Sequence, residues 1–375
     1  MRLSFILSLI LSILIFYQIP RNLPESPSIY PFLQYSLINE KNDFVKIPEL
    51  ENGNIFNVLI SEDRRTLKRP FQEDRSIDSK DFLTFSPFLG KGFFIYKKVG
   101  KEISFLTSDG EVLWKKPFSS YPVTDPMGRV ILLLTGDNNR VDLADMNGNP
   151  AGVFSVSGNF LSDYDFSIID SVILLSFANG DIALLSKEGN LLLRFQISSF
   201  LNVKGEETLF VKSNSVSSDG KRFAVHYVFK ERDYVSVFSF DKEDPESFQK
   251  EYEISLDRIY PHILHFAVES SGILIAAPDS ASFYNEDGEL LWKNKLQEKE
   301  EIYRPVFSLK HIFAYMEGNT VHVFDSSGVG IDSFRTGGKE EGPFRILPFR
   351  KDDQFVIQGK HNLYYYQFLS AEESI

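Results

Sequence analysis

Cysteine is absent from the 375 residues, which excludes disulfides, thiolate metal sites, a cysteine nucleophile and lipid attachment through an N-terminal Cys. Tryptophan occurs only twice and histidine six times. A Gly-rich phosphate loop, a Gly-x-Ser-x-Gly elbow and a His-Glu-x-x-His pair are all missing, and with them the commonest signatures of nucleotide, acyl-transfer and metalloprotease chemistry. Basic charge is in deficit: 40 Lys and Arg stand against 52 Asp and Glu, a formal charge of -12. That sign disfavours phosphate backbones and anionic lipid headgroups, so nucleic acid is not an expected partner. Helical periodicity is nearly absent beyond the N-terminus.

What the chain does have is apolar and aromatic residues in abundance, 43% and 14%, with 35 Phe and 16 Tyr. Such residues favour pleated, half-buried surfaces and a folded body. The length after the first forty or so residues exceeds most single compact cores, and one large repeat domain fits it better than two small ones.

The N-terminus has the layout of an export signal: Met1 and Arg2, an apolar run over 3–19, then Pro20 and Arg21. The run is at the lower edge of what spans a bilayer. Tyr17, Gln18, Ile19 and Pro20 supply no small residues for cleavage, so an uncleaved signal anchor is expected, with a cleaved signal peptide or a buried helix as alternatives. Ser4, Ser8 and Ser12 share a helical stripe that suits packing against another membrane helix, or are simply tolerated there. The charge bias favours translocation of the body. The expected location is therefore the bacterial inner membrane with the body in the periplasm, or secretion to the periplasm after cleavage. Pro20, Pro24, Pro27 and Pro31 mark a semi-extended linker. The expected division is 1–19 signal anchor or signal peptide, 20–50 linker and 51–375 a single β domain.

Self-similarity sets the fold of that domain. The segments 102–118 and 282–296 match closely, each a strand, a glycine turn and a second strand. Looser copies turn at Gly148, Gly189 and Gly328. Tight hairpins need positive φ, which Gly adopts without a Cβ clash. Gly110, Gly148, Gly189, Gly288 and Gly328 are spaced by 38, 41, 99 and 40, and the 99 has room for an extra unit over 234–241, its turn enlarged into 242–248. A second strand pair precedes each hairpin, over 82–96, 123–133, 160–175, 216–225, 268–276, 303–315 and 344–357. Four strands per period near 40 is the signature of a β-propeller blade. The expectation is an all-β propeller of about seven four-stranded blades, preceded by one N-terminal hydrophobic helix. The last unit lacks an outer strand, and 55–60 is the expected strand that closes the ring.

The turns Asp109-Gly110-Glu111-Val112-Leu113-Trp114 and Asp287-Gly288-Glu289-Leu290-Leu291-Trp292 resemble the repeats of quinoprotein-like (PQQ-like) propellers. The stretch 216–225 is more similar to WD40 or YVTN-type blades. This resemblance covers about residues 80 to 370. It implies that Trp114 and Trp292 pack between neighbouring blades. The catalytic members carry a vicinal disulfide or stacked Trp, a calcium site and a catalytic Asp in a longer chain. This sequence, with no Cys and both Trp in blade-packing positions, is closer to the non-catalytic type, such as the BamB-like outer-membrane assembly scaffolds, though those are usually lipoproteins.

The candidate sites are weak. His262 and His265 point to opposite faces of an extended segment and cannot readily share one ion. Asp145-Met146-Asn147-Gly148-Asn149 begins like a calcium loop, but position twelve is Val156 where Glu is required, so a hairpin turn is the better reading. The charged run 293–301 is a solvated loop or a partner contact. No catalytic, cofactor-binding or metal residues are expected, and no cofactor. The expected function is a non-enzymatic, membrane-tethered scaffold for protein partners at the cell envelope. The alternative is a degenerate quinoprotein dehydrogenase or a metal-dependent propeller hydrolase, which needs inner-strand carboxylates, Asn or His converging on the axis.

Overall fold

The computed structural model describes residues 28–36, 59–60, 66–68, 75–76, 82–97, 100–170, 172–201, 209–296, 304–310, 312–338, 342, 344–348, 354–360 and 362–369. Apart from a 3-10 turn at Ile197–Phe200, the regular structure among them is β. The strands form seven four-stranded sheets and one three-stranded sheet. In chain order the first sheet spans 59–76, the second 82–116, the third 120–157 and the fourth 161–196. The fifth spans 209–255, the sixth 265–295, the seventh 306–335, and the eighth 345–369 together with Ser28–Ser36.

Each of the second to seventh sheets is a meander whose four strands lie side by side in chain order. Burial explains their apolar runs. In the fourth sheet Ile173–Phe177 and Asp181–Leu185 are buried at every position, whereas Leu191–Gln196 is exposed or half-buried throughout. A strand covered on both faces reads as a continuous apolar run, not an alternating one. The covering comes from the neighbouring sheet: Leu132 and Leu143 of the third sheet pack with Ile173 and Leu175 of the fourth. Val235 and Val237 of the fifth pack in the same way with Ile273 and Ile275 of the sixth. From the fourth sheet to the eighth, the first strands of successive sheets touch one another. First strands thus gather inside and fourth strands face outward.

The seven strand pairs expected from 82–96 through 344–357 are antiparallel pairs in the second to eighth sheets. Three expectations need correction. The segment 55–60 is not the outer strand of the last sheet: Leu59–Ile60 pairs with Thr66–Lys68 in the separate first sheet. That place is taken by Ser28–Ser36, antiparallel to Asn362–Leu369 with Ile29 opposite Phe368. This strand lies inside the stretch expected to be linker. Pro31 is tolerated because an edge strand leaves N–H groups unpaired, and the register shifts between Pro31 and Leu33.

The second correction is the number of sheets. The first sheet adds to the expected seven, and Leu67 is its anchor, fully buried beside Phe93 and Leu106 of the second sheet. The third concerns 242–248, which is not an enlarged loop. Asp241 pairs with Asp244 across a tight turn, and the length is taken up as register shifts along Asp244–Ser255. The apolar run 3–19 lies outside the described residues, and among these no helix is long and apolar enough to cross a membrane.

Candidate functional site

The inner edge of a sheet presents unpaired backbone groups that must be satisfied when buried. In the fifth sheet three successive edge N–H groups meet carboxylates of the neighbouring sheets. Asn214 donates to Asp163 Oδ2 at 2.9 Å and Val216 to Asp165 Oδ2 at 2.9 Å. Two residues further on, the Ser218 N–H donates to Glu269 Oε1 at 3.2 Å. Asp163 and Asp165 occupy alternate positions of Leu161–Phe166 and so share a face of that strand. Glu269 ends the first strand of the sixth sheet and also accepts the hydroxyls of Ser218 at 2.9 Å and Ser308 at 2.8 Å. Lys310 N–H in turn donates to Ser218 Oγ at 3.3 Å. The fourth, fifth, sixth and seventh sheets are tied at the axis by these bonds.

Burial raises all three acids, against the lowering effect of their donors: Asp163 to about 7, Asp165 to about 6 and Glu269 to about 7. Carboxylates near neutrality are the kind of group a proton-transfer site uses. Here each is committed to backbone or hydroxyl donors. Among the described residues no three His, Asp or Glu side chains gather as a metal-holding group. His265 begins the strand His265–Glu269, while His262 lies exposed in the preceding loop.

A second constellation sits within the fifth sheet. Ser213 Oγ lies 3.3 Å from His226 Nδ1, and His226 Nε2 lies 3.4 Å from Asp233 Oδ2. The order is that of a hydrolase triad, but Ser213, His226 and Asp233 are 3%, 0% and 0% exposed. The Ser213 hydroxyl donates to the Leu264 carbonyl at 3.0 Å. Asp233 is also held by Lys212 Nζ at 2.8 Å and by the Tyr260 N–H at 2.6 Å. Burial works to raise the Asp233 pKa, yet His226, Lys212 and Tyr260 outweigh it and bring it below the usual range. Burial lowers His226, against the pull of Asp233. The nearby cleft, lined by Leu256, Tyr260, Leu264, Ser280 and Tyr284, measures about 20 Å³, room for about one water. The buried cluster clamps the fifth sheet to the loop before the sixth.

Comparison with known proteins agrees with this architecture. No family model and no curated protein matches the chain. Among solved structures, BamB from Moraxella catarrhalis superposes with a TM-score of 0.51 at 13% identity, covering 91% of this chain and 100% of that one. Raptor from Chaetomium thermophilum matches at 0.45 and 12% identity, over 76% of this chain and 28% of its own. The fold is that of a β-propeller.

In that fold the four-stranded sheets are blades, and the seams between them explain the two tryptophans. Trp114 Nε1 donates to the Met146 carbonyl at 2.8 Å, in the turn of the next blade, and Trp292 Nε1 to the Gly328 carbonyl at 2.7 Å. Gly110, Gly148, Gly189, Gly288 and Gly328 all have φ between 73° and 83°. The seam position is filled differently elsewhere. Tyr252 occupies it in the fifth blade, where a Cβ on Gly288 would meet its ring at 2.6 Å. This went unread in the sequence because that blade's own turn carries no glycine.

Two arginine clasps also escaped sequence reasoning. Arg129 binds Asp125 at 2.6 Å and the Ile168 carbonyl of the next blade at 3.0 Å. Arg222 pairs with Glu251 at 2.5 Å and reaches the Ser270 carbonyl at 2.6 Å. Both follow the glycine turn between the first two strands, and that shared Gly-x₀₋₁-Arg placement is the signal that was available. The Asp145 carboxylate accepts the N–H groups of Asn147 at 2.9 Å and Asn149 at 2.8 Å. It is therefore the capping group of its hairpin. From the run 293–301, Lys293 pairs with Asp257, and 297–301 lies outside the described residues.

Proposed function

We propose that this chain is a non-enzymatic, membrane-tethered, extracytoplasmic scaffold at the bacterial envelope, an eight-bladed ring that Ser28–Ser36 closes and whose surfaces bind other proteins. The observation that carries this reading is the fate of the axial carboxylates. An enzyme built on this fold needs inner-strand acids free to hold a metal or move a substrate proton. Asp163, Asp165 and Glu269 instead satisfy the edge of the neighbouring blade.

The tether rests on the apolar run 3–19 after Met1 and Arg2, and the closure on the pairing of Ser28–Ser36 with Asn362–Leu369. Rigid loops on such a disc suit partner binding. The likeness to BamB supports the fold of a scaffold and leaves the partner to experiment.

The test is affinity capture of the full-length chain from crosslinked native membranes, with metal and quinone content measured in the same preparation. A stoichiometric envelope protein without bound metal or quinone supports the scaffold. A tightly held ion or quinone without a partner overturns it in favour of a degenerate quinoprotein dehydrogenase or a metal-dependent hydrolase.

A further inference from the structure

The outer side of the sixth and seventh blades carries aliphatic side chains in the open. Leu290, Leu291 and Val329 are 51%, 46% and 61% exposed. The bond from Trp292 to the Gly328 carbonyl brings the turn that carries Val329 against the strand Leu290–Lys295. Phe283 pairs with Trp292 and Tyr284 with Leu290, so Leu291 is the extra residue of a bulge. Bulges of this kind bend a strand and re-aim its side chains. The turn that leads into the strand supplies Glu286, Asp287 and Glu289, all exposed.

Two of the cations nearby are already engaged. Arg222 is bound to Glu251 and to the carbonyls of Glu269, Ser270 and Glu286. Lys293 pairs with Asp257. Among the described residues Glu286 and Asp287 make no ion pair. An aliphatic ridge is thus walled by uncompensated acid, on a chain whose formal charge is -12. The sister turn of the second blade exposes Val112 and Leu113 in the same way. There the residue after the next blade's glycine is Asn149, not a valine, and Lys115 pairs with Glu102 at 2.8 Å. The apolar surface is shorter there.

We propose that the ridge of Leu290, Leu291 and Val329 docks a cationic, aliphatic segment of a protein partner. Its aliphatic side chains cover the ridge, and its Lys or Arg side chains meet Glu286, Asp287 and Glu289. Apolar burial supplies affinity and the charges supply choice of partner. This deepens the scaffold reading and rests on it.

The probe is a fluorescent synthetic peptide of alternating Leu and Lys, with Leu–Glu and Ser–Lys peptides beside it, titrated against the full-length protein by anisotropy. Binding of Leu–Lys alone is expected. L290S/L291S should weaken it about tenfold, and E286Q/D287N should weaken it several-fold and flatten its salt dependence. The control E243Q/D244N/E246Q, which neutralises exposed acids of the fifth blade, should bind as the parent does. These substitutions are on the surface, and unchanged melting curves confirm folding. Equal binding by L290S/L291S or E286Q/D287N, or equal binding of the Leu–Glu peptide, overturns the proposal. The crosslinked capture separates the two claims. A partner retained equally by L290S/L291S leaves the scaffold standing and removes this surface, whereas a bound quinone or metal with no partner removes the scaffold itself.

Discussion

Gly152 lies against Gly189 backbone to backbone: a Cβ on Gly152 would stand 2.1 Å from the Gly189 carbonyl carbon. Gly152 is four residues past Gly148, as Trp114 is past Gly110 and Trp292 past Gly288. The third blade therefore fills with a glycine the seam position that the second and sixth fill with an indole, and the next turn descends onto it. Gly152 also has φ of 52°, where a side chain is strained. Gly152→Ala is expected to cost about 2 kcal/mol or more, read as a fall in the urea midpoint. An unchanged midpoint would show that this seam is loose.

The two indoles make a matched experiment. Each Trp→Phe change keeps an aromatic ring but leaves the Met146 or Gly328 carbonyl without its donor, a loss of about 1–3 kcal/mol. Since the chain has only two tryptophans, each variant leaves one fluorescent reporter on a different seam. In a repeat architecture stability is carried by neighbour interfaces. W114F should therefore loosen the second and third blades before the Trp292 signal moves. A Trp292 midpoint lowered in step with that of far-UV circular dichroism, which reports all the blades, would contradict this.

Proton uptake at the axis has a definite sign. Asp163, Asp165 and Glu269 titrate at about 7, 6 and 7 in the fold, against 3.8, 3.8 and 4.5 when unconstrained. Between those limits the folded chain holds more protons than the unfolded one. The contribution of these groups is therefore fully present below about pH 4 and is lost as pH rises through about 7. Asp163→Asn with Asp165→Asn keeps an oxygen acceptor for Asn214 and Val216 but removes the titration. The double variant should gain stability relative to the parent at pH 8 and show a flatter profile between pH 4 and 7 in urea titrations. A profile as steep as the parent's would place the protons elsewhere.

The legible and illegible parts of this molecule divide along physical lines. Hairpins announce themselves locally, because a positive-φ turn selects Gly110 or Gly288 and the flanking strands are apolar. The first sheet has no such mark: its strands are two or three residues long, and Leu67 anchors it against the second blade. Ser28–Ser36 was hidden by Pro31 and the prolines that precede the strand, which signal a linker unless the strand is known to be an edge. The axial acids left a trace in Asp163-Tyr164-Asp165, polar residues at alternate positions of an inner strand. Their donors stand 51 residues away in each case, and only the packing of successive blades brings them together. The Ser213, His226 and Asp233 arrangement was equally invisible, since its register depends on the shift between Val211 and Ser213.

That cluster offers the sharpest electrostatic test. Asp233 has no exposure, and Lys212 is its main cationic partner. Removing one member of a buried pair strands the other, at a cost of about 3–5 kcal/mol, so Lys212→Met should be among the most destabilising changes in the fifth blade. In the parent, burial holds the His226 pKa below its usual value and Lys212 adds to that depression. The unfolded chain therefore binds the extra proton, and the His226 contribution is lost as pH falls below about 6.5. Without Lys212 the imidazole faces Asp233 alone, and protonating it restores the missing cation. Lys212→Met should accordingly regain part of its lost stability on going from pH 8 to pH 6, opposite in sign to the parent's His226 effect. Measured against His226→Gln alone, which shares the response of the axial acids, the double variant Lys212→Met with His226→Gln should show no such recovery. Recovery in both variants would mean that a group other than His226 answers to Asp233.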